Sequence, residues 1–510
     1  MSSKKKVFQN SVLYIFSSLL VKSIGFLLLP IYTYYLTPED YGITNMIASF
    51  TSATFIVAFS LYSAVIRFDV DYKDDREKLK RFFGTIITFV FISSLIFFFI
   101  ALLLRDVVIN LFFKGISFFP FVFISFSSLI FISLHTIHQN ILKGMQKGKK
   151  LTITNLIFFF FQVTLTLILI GVLKLGALGV LLSSLIINVL YFFFLFFDLY
   201  KNDLIKIGID FPLLKESLKY SIPILPHNLS TNIAQFASRV FINKNDSLAN
   251  VGLYSVSNQF GSIIDIIQSS VNQAFQPWFF ENMKNDKNLN KIGIISLSSF
   301  LLIIYTIIYM AIGLFSQEVI LLITPSSYAL AWTVIPILVV GFSAKSIYYF
   351  YVNILFYYKS AVRLLFTATI TGSIVDIIIA YLLVPKYGMY GAALAFTLAK
   401  IVIVFIVVVI SRKYNDIGYR VIDMIKIILP SLVFMAIGLF FSYYKYVTFF
   451  NWKNLVYKCI VFLLYMIYIY FTNKKSIMIA VDSLKQIFNK KKNRRNKIDD
   501  FKDETYYKEY

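Results

Sequence analysis

Fourteen apolar stretches of bilayer-spanning length run through this chain, at roughly 8–35, 41–66, 82–104, 117–141, 151–173, 176–198, 217–243, 251–280, 292–315, 331–357, 363–384, 388–411, 425–444 and 454–472. In hydrocarbon every backbone N–H and C=O must find a partner within the protein, so apolar runs of about 20 residues are read as helices. Composition agrees. Of the residues 58% are hydrophobic and 15% charged, where soluble domains carry about 25% charged. The expected fold class is an all-α polytopic membrane protein with about fourteen transmembrane helices. The opening lysines and the apolar run behind them resemble a secretion signal. The run continues past Leu29 without a small-residue cleavage site, so it is read as a retained first span. A single cysteine, Cys459, excludes a disulfide framework and a cysteine-rich metal site.

The formal net charge is +23, and its placement decides its meaning. With the N-terminus in the cytoplasm, 37 of the 49 Lys and Arg fall in cytoplasmic segments. Eight, from Arg105 to Lys458, fall in outer ones, and Lys22, Arg239, Lys345 and Lys400 lie within spans. The positive-inside rule then puts both termini in the cytoplasm. The charge reads as topology plus a basic tail lying against anionic lipid, not as affinity for nucleic acid. The tail, 473–510, passes from a short amphipathic stretch to a basic run and an acidic, Tyr-rich end, the pattern of an interfacial or disordered segment.

The chain repeats itself. Lys174, Gly176 and Gly179 match Lys386, Gly388 and Gly391 at an offset of 212; Gly42 in EDYGIT matches Gly252 in ANVGLYS at an offset of 210. Both matches fall in corresponding hairpins. Six spans per repeat is an even number, so the copies are parallel, related by an axis along the membrane normal, with substrate handled between them. The expected organisation is an N-terminal six-helix lobe (1–200), a cytoplasmic linker (201–216), a C-terminal six-helix lobe (217–415), two further spans (416–472) and the cytoplasmic tail (473–510). The 5–6 and 11–12 connections are short enough to be tight hairpins.

The eighth span carries a polar stripe. Ser255, Asn258, Ser262, Asp265, Ser269, Asn272 and Gln276 recur at alternating spacings of 3 and 4, opposite Val256, Phe260, Ile263, Ile264, Ile267 and Val271. Such a face cannot meet lipid and must line a cavity. Each intramembrane charge costs about 2.5–3.5 kcal/mol on insertion scales unless paired or solvated. Lys22 shares a face with Ser11, Tyr14 and Ser18, and Lys345 one with Tyr349 and Asn353; both read as cavity cations. Arg239 reads as a cavity cation or as a residue snorkelling at the outer edge. Asp265 and Asp376 are the intramembrane carboxylates, and Asp376 with Lys400 is the evident ion pair. A net cationic cavity suits an anionic group such as phosphate; the amides and hydroxyls suit sugar.

Other features carry less. His135 and His138, at i, i+3, read as a proton relay, a metal pair or interhelical hydrogen bonds. Pro223 and Pro226 predict a bend in span 7 next to His227. Asp69-Val70-Asp71 resembles a metal-binding D-x-D but is expected in a charged loop with no nucleotide-binding domain. GMQKGKK (144–150) lacks the spacing of a phosphate loop. Nothing supports ATP hydrolysis.

YLTPEDYG, SIPILPHNLS, VGLYSVSNQF, QAFQPWF and LLVPKYGMYGAALA, in this order and over roughly 7–475, resemble the Wzx-type polysaccharide repeat-unit flippases (O-antigen and capsule) of the multidrug/oligosaccharidyl-lipid/polysaccharide (MOP) exporter superfamily. The resemblance implies a V of two six-helix lobes plus two extra C-terminal helices, in a bacterial cytoplasmic membrane. It implies alternating access, not enzymatic or cofactor chemistry. It also implies undecaprenyl-diphosphate-linked oligosaccharide as cargo, H⁺ or Na⁺ as coupling ion, and polymerase and chain-length proteins as partners. The diphosphate would meet Lys22, Arg239, Lys345 and Lys400, the sugars Ser255, Asn258, Ser262, Asn272 and Gln276. Asp265 and Asp376 would couple ions or form salt bridges. The chain departs from the family with Ser238-Arg239 where Asp-Arg is common, and with Asp376 and Ala380 where two asparagines are. A drug exporter and a peptidoglycan lipid-precursor flippase of the same superfamily are the competing readings. A membrane polymerase or ligase would need a sizeable charged outer loop, which this chain lacks.

Overall fold

The computed structural model describes residues 25–474 apart from Leu27, 54–56, 285–287, Lys359 and Asp416. Lys22 and most of the expected tail (475–510) lie outside the described residues. The first half contains α1 (Leu29–Tyr35), α2 (Pro38–Ala53), α3 (Leu61–Tyr72), α4 (Arg76–Leu103), α5 (Arg105–Phe112), α6 (Phe123–Gly144), α7 (Gly148–Leu167) and α8 (Gly176–Lys201). The second contains α9 (Phe211–Ser221), α10 (Leu225–Asn245), α11 (Leu248–Lys284), α12 (Asn288–Ile323), α13 (Ile335–Tyr357) and α14 (Val362–Tyr414). Then come α15 (Val421–Tyr444) and α16 (Trp452–Lys474). No strand occurs among the described residues.

Nine helical segments among these residues are long and apolar enough to cross a membrane. That is fewer than the fourteen expected, for identifiable reasons. The α14 segment is two arms: its chain reverses at Gly388, with φ 54° and ψ −131°. The α10 and α11 helices have the length, but their polar residues keep them out of the nine. The expected second span is not one helix. Phe59 and Ser60 take φ 45° and 54°, and α3 starts at Leu61. The bend expected in span 7 is present: a 3₁₀ turn, Ile222–Ile224, separates α9 from α10, with Pro223 and Pro226 each opening a helical segment.

The duplication is visible in three dimensions. Thr37 and Ser247, 210 residues apart, each cap a helix by accepting from the N–H three residues on, that of Asp40 at 3.1 Å and that of Asn250 at 3.1 Å. Gly176 and Gly388 both take φ 54°, the left-handed conformation that favours glycine, and each has an aspartate oxygen close by, from Asp40 and Asp246. Gly42 and Gly252 face each other where α2 meets α11. A Cβ on Gly42 would sit 2.0 Å from the Leu248 carbonyl oxygen, and one on Gly252 would sit 2.0 Å from that of Pro38. The contact is reciprocal at the same offset of 210, so it lies on a pseudo-two-fold axis.

Around this seam the halves share one apolar core. Phe50 packs on Phe112, Phe113 and Phe126 of its own half and on Phe236 of the other. Tyr328 donates to the Leu36 carbonyl at 3.0 Å, and Asn243 to that of Lys114 at 2.8 Å. Away from the seam a second core belongs to α3, α4, α6, α8 and α9, centred on Phe82, Phe83, Tyr191 and Leu199.

A methyl group at the seam has no room, so Gly252→Ala is expected to lower unfolding stability in detergent by about 1–3 kcal/mol. Gly293, with open space where its Cβ would be, is the control: Gly293→Ala should leave the unfolding temperature unchanged or slightly higher.

Candidate functional site: the polar face of α11

Burial along α11 follows the expected stripe only in part, since Ile263, Ile267 and Val271 of the apolar face are half-buried too. Val256, Phe260 and Ile264 are buried, whereas Asn258, Ser262, Asp265, Ser269, Asn272 and Gln276 are half-buried. Ser255, nearest the seam, is buried and accepts from Arg239 Nε at 3.4 Å. The far side of α11 is held by Gln268, which donates to Tyr309 Oη and to the Phe342 carbonyl.

Three charged helices converge on the half-buried face. Lys345 Nζ of α13 donates to Asp265 Oδ1 at 2.6 Å, and Tyr349 Oη donates to the same oxygen at 2.9 Å. The side chains of Lys345 and Asp265 keep 23% and 33% of their exposure, so the pair is not sealed. Two turns along, Asn353 donates to Asn272 Oδ1 at 2.8 Å. Lys400, on the second arm of α14, lies within electrostatic range of Lys345, Asp265 and Asp376.

The expected Asp376–Lys400 ion pair does not form. Both residues stand twelve positions from the turn at Gly388, at the same height on the two arms, but no ion pair within 4 Å joins them among the described residues. Lys400 instead places its ammonium 4.8 Å from the centre of the Phe396 ring, an attraction for a desolvated cation. Asp376 is buried and its Oδ1 has no hydrogen-bond partner. Arg239 does not snorkel. It is 6% exposed, donates to Ser255 and to the Gln235 carbonyl, and lies 6.0 Å from the Tyr254 ring.

Several charged groups escaped the sequence reading. His138 is bonded to Tyr191 Oη at 2.9 Å and to Asp198 Oδ2 at 3.1 Å, and Lys150 also binds Asp198. His135 is bonded to Asn188 at 3.0 Å. The histidines thus make interhelical hydrogen bonds, and a carboxylate takes part. The signal was present, since Asn188, Tyr191, Asp198 and Asn202 share one helical face. Lys458, counted above among outer segments, is fully buried in α16 and bonded to Glu318 of α12 at 2.7 and 2.9 Å. Asp69 lies in α3, not in a loop. His227 is bonded to Thr369 Oγ1 at 2.7 Å and stacks on Phe366.

Residues 7–283 match the family model described as polysaccharide biosynthesis protein. The chain belongs to this family. No curated protein matches it. Among solved structures it is similar to the lipid II flippase MurJ in an inward closed conformation, with TM-score 0.64 and 18% identity over 93% of this chain and 99% of that one. It is also similar to an inward-facing multidrug resistance MATE family transporter of the MOP superfamily, with TM-score 0.62 and 14% identity over 79% and 96%. The Vibrio cholerae MATE transporter VcmN in its bent form gives TM-score 0.51 and 11% identity over 83% and 98%. At such identities the likeness is one of fold.

Two measurements follow from this geometry. In thermal unfolding, Asp265→Ala and Lys345→Ala should each destabilise, and the double variant should fall short of their sum by about 0.5–3 kcal/mol. Burial pushes the Asp69 carboxyl up to about 6, against the pull of Lys147. Between its ordinary range and about 6 the folded protein holds a proton that the unfolded chain has lost, so stability falls as pH rises through that window. Asp69→Asn should flatten this decline and raise the unfolding temperature at pH 7.

Proposed function

We propose that this protein is a flippase for oligosaccharides linked to undecaprenyl diphosphate, moving repeat units across a bacterial cytoplasmic membrane for surface polysaccharide such as O-antigen or capsule. The observation that carries the reading is the half-open Lys345–Asp265 pair, set beside Lys400 and below Arg239 in a chain of the polysaccharide biosynthesis family. An ion pair open to a cleft is exchangeable. A diphosphate brings more negative charge than the carboxylate and accepts from several cations at once. Lys345 leaves Asp265 for the cargo, with Lys400, Arg239 and Lys22 as further cations. Ser262, Ser269, Asn272 and Gln276 meet the sugars, and the polyprenyl tail stays in lipid between lobes 1–200 and 217–415. Asp265, freed of its lysine, takes up H⁺ or Na⁺; Asp376, buried with a free oxygen, is the second candidate. With both termini in the cytoplasm, the Gly42–Gly252 seam closes the outer side.

The likeness in fold to a lipid II flippase supports a second reading, transport of the peptidoglycan precursor. Rescue of a strain depleted of its precursor flippase separates the two. On the main reading, Lys345→Ala and Lys400→Ala reduce surface polysaccharide at least tenfold while the protein remains in the membrane. Wild-type polysaccharide in both variants would sink the cation assignment.

A further inference from the structure

On the opposite side of the cleft from Lys345 lies a cavity of ≈ 500 Å³ between α2, α6, α8 and α10. Among the described residues no charged side chain lines it. Its polar groups are hydroxyls and one amide, among them Thr51, Ser52, Ser125, Ser128, Ser184 and Asn232. Asn232 comes from the second half, the others from the first, so the cavity straddles the two halves. The repeat fixes its depth. Thr51 and Ser52 correspond, at the offset of 210, to Gly261 and Ser262, one turn short of Asp265. The cavity therefore sits level with the polar face of α11.

The hydrogen bonds bias what this cavity can accept. Thr51 gives its proton to the Ile47 carbonyl at 2.9 Å, and Ser52 gives its own to that of Ala48 at 2.9 Å. With the Thr51 proton so committed, Ser125 donates to Thr51 at 2.8 Å. Ser52 and Ser125 thereby keep their oxygens as acceptors. Ser128 is 5% exposed, lines the cavity and makes no hydrogen bond among the described residues. Among the described residues the wall is rich in hydroxyls, carries no charge and is backed by Ile47, Ile132 and Leu181. It suits a neutral ligand with many O–H or N–H donors and apolar ring faces.

We infer that this cavity seats a sugar ring of the cargo, with Ser128 and Ser184 accepting from its hydroxyl or amide protons. This deepens the flippase reading and rests on it: the diphosphate is held by the second half and the glycan by the first. A cargo so divided bridges the halves, and their relative movement carries both parts together.

The test uses the full-length protein in nanodiscs and three probes: undecaprenyl diphosphate, the same lipid bearing a chitobiosyl disaccharide, and free chitobiose. Wild type should prefer the glycosylated lipid to the bare one. Ser128→Val should weaken binding of the glycosylated lipid roughly three- to tenfold, the worth of about one hydrogen bond, without changing the bare lipid. Ser128→Thr, of the same shape but keeping the hydroxyl, should retain the preference. Equal weakening for both lipids, or a full preference surviving in Ser128→Val, overturns the sugar seat and leaves the carrier-lipid reading standing. Ser128-dependent binding of free chitobiose by a protein that takes neither lipid supports the seat and overturns the carrier. A wild type with no preference and no chitobiose binding overturns the seat.

Discussion

Two glycines let helices from opposite halves meet backbone to backbone, and the remaining architecture is arranged about that contact. At Gly42 and Gly252 the space for a Cβ is already filled by a carbonyl oxygen of the other half. Close approach of this kind gains from van der Waals contact over a flat surface, the mode by which membrane helices associate without a hydrophobic drive. Because the contact is reciprocal, it lies on the axis relating the two halves. It joins their cores at one end of the bundle and leaves the first half with a core of its own at the other. The polar face of α11 starts at the seam with Ser255 and opens with distance from it.

The two intramembrane lysine–carboxylate pairs of the second half show how burial separates scaffold from site. Lys458 and Glu318 are sealed, at 0% and 8% side-chain exposure. Gln317 accepts from Lys458, and Asn454 in turn donates to Gln317. Removing one partner would strand a charge in low dielectric, so this pair fixes α16 to α12. Lys345 and Asp265 retain 23% and 33%. Their attraction is screened more than that of the sealed pair. The same two residue types are thus sealed in one place and half-open in the other.

The fold class was legible because the bilayer leaves few choices. Long apolar runs must be helices, and the glycine matches at offsets of 210 and 212 proved to be structurally equivalent positions. The break at Phe59 and Ser60 was not legible, because the residues around it are as apolar as a continuous helix. Along α11 spacing alone separated the buried Val256, Phe260 and Ile264 from the polar residues, but Ile263, Ile267 and Val271 are half-buried like the stripe. Pairing was harder. Asp376 and Lys400 seemed natural partners by height on a hairpin, but height does not set side-chain direction, and an aromatic ring took the lysine. Asp198 went unnoticed because its partners, His138 and Lys150, lie 60 and 48 residues away. The hydroxyls of α2, α6 and α8 looked like ordinary small membrane residues, and only the packing shows that they surround one cavity.

The central claim is that the cleft carries a polyprenyl-diphosphate glycan across the bilayer. Reconstitution tests it most directly. Purified protein is placed in liposomes with a fluorescent glycosylated undecaprenyl diphosphate in both leaflets, and a membrane-impermeant quencher reports the fraction reachable from outside. The account predicts that quenching rises from about half, the outer-leaflet share, towards completion only when the protein is present. A quenched fraction that stays at half with correctly folded wild-type protein, under imposed H⁺ and Na⁺ gradients as well as without them, would contradict it.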